Sequence, residues 1–398
     1  MKLEINKIRT TPPGMNFAFC VYGEPTQEVL DWAEKWGFPK EVSGAFTNFK
    51  VPKGYDLSEC FEKPVPYAYL DGFSPNLNKH LHLGHFCNMV LAKALLGMGV
   101  AEQTLAILGD TLKGEVSAYD AKFALEKHCK DFNYTIVKTI LASEVHLKES
   151  IEEALLSPGE GKYAGALCFS HDKGREVGLR SDGSTTYFYQ DIALAHMLKD
   201  PYLVITGDEQ KEHFAHVKEI CNWVDYLGMG LVLNDGVKMS SRKGNVIMMQ
   251  EIIDELQAEF DNIQLVYNIV AGKLLNYAPS SSKNIIKKEL MQVGSSPGLY
   301  LSYAMARLQS AGCTFLAVNK FNDTKLQFEQ ARALSEKDPS ILLKALMGHA
   351  KNINKLYEDN PIKGNENNQI FFSGLLEDLA YGMTKLGMFH VCRVPTNK

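Results

Sequence analysis

Between residues 67 and 226, short apolar runs of strand length alternate with longer stretches of helical spacing. That alternation restricts the chain to a parallel sheet with helices on its faces. The strand candidates are residues 67–70, 104–108, 135–141 and 202–206. A long helix opens near Gly84 and runs through Leu96, and Phe214, Val217, Ile220, Cys221 and Val224 give residues 212–226 helical periodicity. Residues 230–233 add an apolar strand. Beyond about residue 250 strand signals vanish. Helical stretches at 250–259, 284–292, 299–318, 339–356 and 374–386, with a loop at 363–368, predict an all-α bundle. Ahead of the alternating region lies a small module. There Thr26 is placed to cap a helix bearing Val29, Leu30, Ala33 and Trp36 on one face, Gly37 stops it, and residues 45–51 read as a strand. Pro52, Gly54 and Lys63-Pro64 mark its end. The expected division is 1–65, 66–250 and 251–398.

Bulk properties narrow the function. In 398 residues no apolar run approaches the roughly 18–20 that a membrane span needs, and the first residues lack a secretory signal's apolar core, so a cytoplasmic protein is expected. The eight cysteines lie far apart without a CxxC pair, which points to reduced thiols rather than a disulfide framework or a zinc ribbon; no structural metal is expected. With a net charge of -5, any contact with a nucleic acid must come from local patches. Candidates for such patches are Lys283, Lys287, Lys288, Arg307, Lys351 and Lys355, although solvated helix faces are the commoner explanation for such charges. No signal of a large exposed apolar face is present, and a monomer is the default.

Two stretches carry chemistry. FSPNLNKHLHLGHFCN (73–88) sets His82-Leu83-Gly84-His85 at the junction of a strand and a long helix, where backbone N–H groups and the helix dipole favour an anion. His82 and His85, three apart, share a face and have donors for phosphate oxygens, while Gly84 allows close approach to the backbone. The residues alone leave two other readings: a metal cluster at His80, His82 and His85, or a surface accident. The second stretch is GVKMSSRKGNVI (236–247), in which Lys238, Met239, Ser240, Ser241 and Arg242 follow an apolar strand on a polar loop. A lysine so placed reaches β- and γ-phosphates and stabilises departing pyrophosphate, although most basic turns are merely solvated. Both stretches, in this order and after the right elements, point to nucleotide chemistry.

HLGH and KMSSR resemble the signatures of class I aminoacyl-tRNA synthetases, written HIGH and KMSKS. The flanks are similar to arginyl-tRNA synthetases in particular: SPNLNKHLHLGH, LRSDGSTTYFYQDIALA (179–195), VITGDEQKEHFAHV (204–217), KMSSRKGNVI and SSPGLYLSYAMARLQS (295–310) follow that family's segments in order. The resemblance implies a Rossmann-like catalytic domain over 66–250 with a shortened insertion, a helical anticodon-binding-like domain over 251–398, and, at 1–65, a candidate for a reduced tRNA-binding module. It implies ATP with Mg²⁺, L-arginine and tRNA(Arg) as substrates and partners. Carried over residue by residue, the ATP site comprises Ser74, His82, Gly84, His85, Lys238, Met239 and Ser240. The arginine site comprises Asp71, Asn76, Tyr187, Asp191 and Gln210, carboxylates being suited to a guanidinium. The family's acidic residue at position 71 is usually Glu. Where many class members have a lysine in the second motif this chain has Ser241, and Lys79 is expected to share the triphosphate with Lys238. A compact paralogue that delivers activated arginine to another acceptor, and a synthetase-like RNA-binding module, remain alternatives.

Overall fold

A computed structural model describes residues 2–11, 18–52, 55–76, 80–109, 118–239 and 246–394. The N-terminal module comprises β1 (Arg9–Thr10), β2 (Phe19–Tyr22), α1 (Gln27–Lys35), β3 (Lys40–Ser43) and β4 (Phe46–Phe49). Its strands form an antiparallel sheet in the order β1-β2-β4-β3. Phe19, Trp32, Phe49 and Phe61 are fully buried in its core, together with Phe328 from the C-terminal region. Thr26 stands at the N-cap of α1 without a side-chain capping bond. Trp32, not Trp36, is the buried indole, because positions three and four after Val29 face inward; its Nε1 donates to the carbonyl of Cys60 at 2.8 Å.

The central sheet follows: β5 (Tyr67–Asp71), α2 (Leu83–Met98), β6 (Ala101–Leu108), α3 (Ala118–Asp131) and β7 (Lys138–Leu141). The chain then makes α4 (Glu149–Leu155) and a three-stranded antiparallel sheet of β8 (Leu156–Pro158), β9 (Leu167–His171) and β10 (Gly174–Leu179). It returns through α5 (Tyr187–Leu198), β11 (Tyr202–Gly207), α6 (Lys211–Ile220) and β12 (Val224–Met229). The five central strands lie in the order β12-β11-β5-β6-β7, and every pair is parallel. Chain order runs outward from β5 to β7 on one side and from β11 to β12 on the other, so the carboxyl ends of β5 and β11 flank a topological switch point, where open α/β sheets bind ligands. The helix expected over 212–226 ends at Ile220. Val224 opens β12, which pairs with β11 along its whole length, from Tyr202↔Val224 to Gly207↔Met229.

Past the sheet, β13 (Val232–Asn234) and β14 (Val237–Lys238) form a hairpin. Asp235 (φ 48°) and Gly236 (φ 79°) supply the two left-handed residues that a tight turn of this hand requires. Then come α7 (Met249–Phe260), α8 (Ile263–Leu275), β15 (Lys283–Ile285), α9 (Lys287–Leu290), α10 (Pro297–Ser310), α11 (Thr324–Glu336), α12 (Pro339–Asp359) and α13 (Glu366–Lys385). Residues 284 and 285, expected to open a helix, instead belong to β15, which pairs in parallel with β13, so one short strand stands in the helical region. The helix expected over 299–318 stops at Ser310, and the loop expected at 363–368 is shortened because Asn365 caps α13 through the N–H of Asn368. One apolar core joins α2 to α8, α10, α12 and α13.

Among the described residues no helix is long and apolar enough to cross a membrane. All eight cysteines are free. The basic residues proposed for phosphate contacts divide. Lys283 is buried, with its Nζ donating to the carbonyls of Pro279 and Ser281, and is removed from that role. Lys287 pairs with Glu251 and Glu255, and Arg307 lies over the ring of Tyr357. Lys288, Lys351 and Lys355 are exposed.

Candidate active site

Two cavities open at the carboxyl ends of the central strands. One, of about 500 Å³, is lined by Asp71, Asn76, Tyr187, Asp191 and Gln210, all five residues expected to hold an amino acid. The other, of about 380 Å³, is lined by Ser74, His82, Gly84, His85, Lys238 and Met239. Ser74, Asn88 and Thr206 line both, so the two spaces meet. Lys79, Ser240, Ser241 and Arg242 lie outside the described residues.

The first motif is held by its own histidines. His82 is the N-cap of α2: its Nδ1 accepts the N–H of Gly84 at 3.1 Å, and Nδ1 of His85 accepts the N–H of His82 at 3.1 Å. This reciprocal box satisfies backbone donors that a helix start would otherwise leave open. Its other consequence is chemical. A ring nitrogen that accepts a hydrogen bond carries no proton, so each neutral ring bears its hydrogen on Nε2. The rings stack with centroids 3.9 Å apart. The helix N–H groups themselves are occupied, since Leu83 donates to Ile247 and His85 and Phe86 both donate to the carbonyl of His82. The backbone N–H groups expected to face a nucleotide are thus already bonded within the protein. Gly84 lines the smaller cavity, as the sequence reading expects, and also packs against its own motif. A Cβ there would lie 2.9 Å from the His82 ring, so glycine makes room for the imidazole to fold back.

The second motif is stitched to the first. His82 pairs with Met248 in an antiparallel bridge, with Leu83 donating to Ile247 and Met249 donating to Leu81. Lys238 is the last residue of β14, not part of the loop, and the Asp235-Gly236 turn brings it to the rim of the smaller cavity. The N–H of Gly236 is anchored by Oδ1 of Asn284 at 2.7 Å, which ties the hairpin to the partner strand β15.

The larger cavity is electrostatically incomplete. Asp71, at the end of β5, is 7% exposed, and burial followed by the field of Asp191 pushes its carboxyl up to about 7, against the opposing hydroxyl bond from Ser74. Ser74 bridges two strands by donating to Asp71 and accepting the N–H of Ile107 at 2.8 Å. Asp191, one turn into α5 from Tyr187, is also raised by burial and is partly compensated by His213, whose Nε2 lies 2.6 Å from its Oδ2. Two acidic groups in a partly dry cleft repel each other, and burial favours the protonated form of each, a balance that a bound cation would reverse. Tyr187 and Gln210 are exposed at the mouth, and Asn76 bridges to Gly109 beside β6.

His213, Asn88, Thr206 and Glu209 line the site without having been singled out from the sequence. Asn88 was findable, since it lies three and four positions after His85 and Gly84 on the same helix face. His213 stands in the KEHF segment, but only the crossing of α5 and α6 sets it against Asp191.

No family profile matches the chain. Among curated proteins it is similar to the arginine–tRNA ligase of Oenococcus oeni, 28% identical over 260 residues, which is 52% of this chain and 46% of that protein. The matches thus span about half the length of the curated relatives. In fold it is similar to Thermus thermophilus arginyl-tRNA synthetase, with a TM-score of 0.65, 15% identity and 96% of each chain covered. It is also similar to a putative arginyl-tRNA synthetase from Campylobacter jejuni, with a TM-score of 0.60, 16% identity, and 83% of this chain and 95% of that one covered.

Proposed function

We propose that this chain, related in sequence and in fold to arginyl-tRNA synthetases, joins L-arginine to ATP and passes the arginyl group to tRNA(Arg). The observation that carries the reading is the pair of meeting cavities at the switch point: an acidic one for a guanidinium, and one rimmed by imidazoles and a lysine for a triphosphate.

In this reading Asp71 and Asp191 take the guanidinium, which favours their charged forms, and His213 holds Asp191 in place. Asn76, Tyr187 and Gln210 orient the rest of the amino acid. Its carboxylate then points through the gap beside Ser74 and Thr206 toward the α-phosphorus of ATP. Attack forms the carboxyl–phosphorus bond and breaks the bond to pyrophosphate. Nε2–H of His82 and His85 and the ammonium of Lys238 stabilise the charge that gathers on the phosphate oxygens, with Lys79 proposed to join them. Mg²⁺ arrives with ATP and neutralises its phosphates. Among the described residues the smaller cavity offers it one carboxylate, Glu209, in keeping with an ion held largely by phosphate and water. The terminal adenosine hydroxyl of the tRNA next displaces AMP. Catalysis is positioning and charge stabilisation throughout. Lysine or citrulline would leave the acidic pair mispaired, and this gives discrimination without editing.

On this reading residues 1–65, 66–250 and 251–398 serve as a tRNA-facing module, the catalytic domain and an anticodon-facing helical domain, in a cytoplasmic monomer. The test is arginine-dependent pyrophosphate exchange into ATP, followed by acid-gel detection of charged tRNA. Exchange with arginine and not lysine, together with charged tRNA(Arg), is expected. No exchange, with or without tRNA, would overturn the activation step, and adenylate without charged tRNA would overturn the transfer.

A further inference from the structure

Outside the residues that line the two cavities, two imidazoles are buried without hydrogen-bond partners. His171 ends β9 and His216 lies in the middle of α6; their side chains are 3% and 8% exposed, and the rings stack with centroids 3.8 Å apart. All four ring nitrogens are buried and none has a hydrogen-bond partner. Leaving such groups unsatisfied is costly in a folded protein, and one buried orphan already calls for an explanation. Glu176 on β10 brings Oε1 to 3.6 Å from Nδ1 of His216, and Glu219, one turn along α6, brings Oε2 to 3.9 Å from Nδ1 of His171.

We propose that His171, Glu176 and His216 bind a zinc ion that clamps the β9–β10 hairpin to α6. One ligand atom from each lies within 4.8 Å of the others, the one such grouping found among the described residues. Tetrahedral zinc with bonds near 2.0–2.1 Å needs ligand atoms about 3.3 Å apart, a contraction of about 1.5 Å that side-chain torsions supply. Two imidazoles and a carboxylate suit zinc, with water completing the fourth position. Glu219 is the carboxylate that orients the His171 ring, as metal-bound imidazoles commonly require, and it is itself fixed by the N–H of Asp172 at 3.0 Å. The register makes the arrangement local: His171 pairs with Gly174 across the hairpin, Glu176 follows two residues on, and His216 and Glu219 are three apart on one helix face. The same helix carries His213, so the ion would steady the imidazole that meets Asp191 of α5.

The test uses the full chain, freed of any histidine tag, stripped of metal and titrated with Zn²⁺ against a chromophoric chelator, with Co²⁺ as a spectroscopic substitute. One zinc per chain, tetrahedral ligand-field bands with Co²⁺, and a rise in melting temperature on adding Zn²⁺ are expected. His216→Ala and Glu176→Gln should each weaken binding by about 100-fold. Glu176 is half exposed, so its amide variant keeps the fold and decides the matter if His216→Ala does not fold. Substoichiometric zinc in the native chain overturns the assignment. So does unchanged affinity in Glu176→Gln, the result expected if zinc sits instead on His80, His82 and His85.

Discussion

Replacing Asp71 with asparagine should make the empty protein more stable and its arginine site useless. The buried carboxyl holds its proton to about pH 7, whereas the same group in an unfolded chain lets go near its ordinary 3.8. That gap corresponds to about 4 kcal/mol. The sign follows from proton counting. Below pH 4 both states are protonated and the group contributes nothing; between 4 and 7 the folded state binds the extra proton, so stability falls as pH rises; above 7 the full penalty is present. Asparagine keeps the shape and the Ser74 bond and removes the charge. Asp71→Asn should therefore gain up to about 4 kcal/mol at pH 8 and about 1–2 at pH 5. For a chain of this length unfolding as a unit, 4 kcal/mol corresponds to about 5 °C in melting temperature. Calorimetry at the two pH values without ligand reads the effect, and arginine titration of the same samples should show binding lost. A variant no more stable at pH 8 than the native chain, or one with the native pH dependence, would refute the account of a cavity built around an unneutralised acid.

The remaining expectations concern the same elements. Arginine should bind the native chain about tenfold more weakly for each pH unit below 7 and release protons on binding at neutral pH, as calorimetry in buffers of different ionisation enthalpy would show. His82→Asn preserves a good N-cap but removes the Nε2 donor, so melting should change little while pyrophosphate exchange falls about 100- to 1,000-fold. Lys238→Ala, at an exposed position, should leave the urea midpoint unchanged and lower the maximal exchange rate. Gly298→Ala should cost several kcal/mol, because its Cβ would fall 1.6 Å from the carbonyl oxygen of Asn268 and force α8 and α10 apart; the midpoint of urea unfolding checks it.

The grouping of the candidate residues was more legible than the scaffold around it, for physical reasons. His82, Gly84, His85 and Lys238 stand in two short windows of fixed local spacing, and the structure brings them to one cavity. Helix α8 escaped because it is buried from Leu265 to Leu275, and a helix that is apolar all round shows no amphipathic period. β12 was absorbed into the preceding helix because Val224 continues its spacing, and only pairing with β11 makes it a strand. β15 is three residues long and exists through its partner β13. The histidine that steadies Asp191 and the buried pair of His171 and His216 depend on contacts between elements distant in sequence, which no local pattern encodes.

A crystal of the chain grown with a non-hydrolysable ATP analogue and arginine puts the whole scheme to its most direct trial. The triphosphate should lie between the imidazole Nε2 atoms of His82 and His85 on one side and Nζ of Lys238 on the other, with the guanidinium against Asp71 and Asp191. A nucleotide bound elsewhere, or Lys238 turned away from it with the acidic cleft empty at saturating arginine, would contradict it.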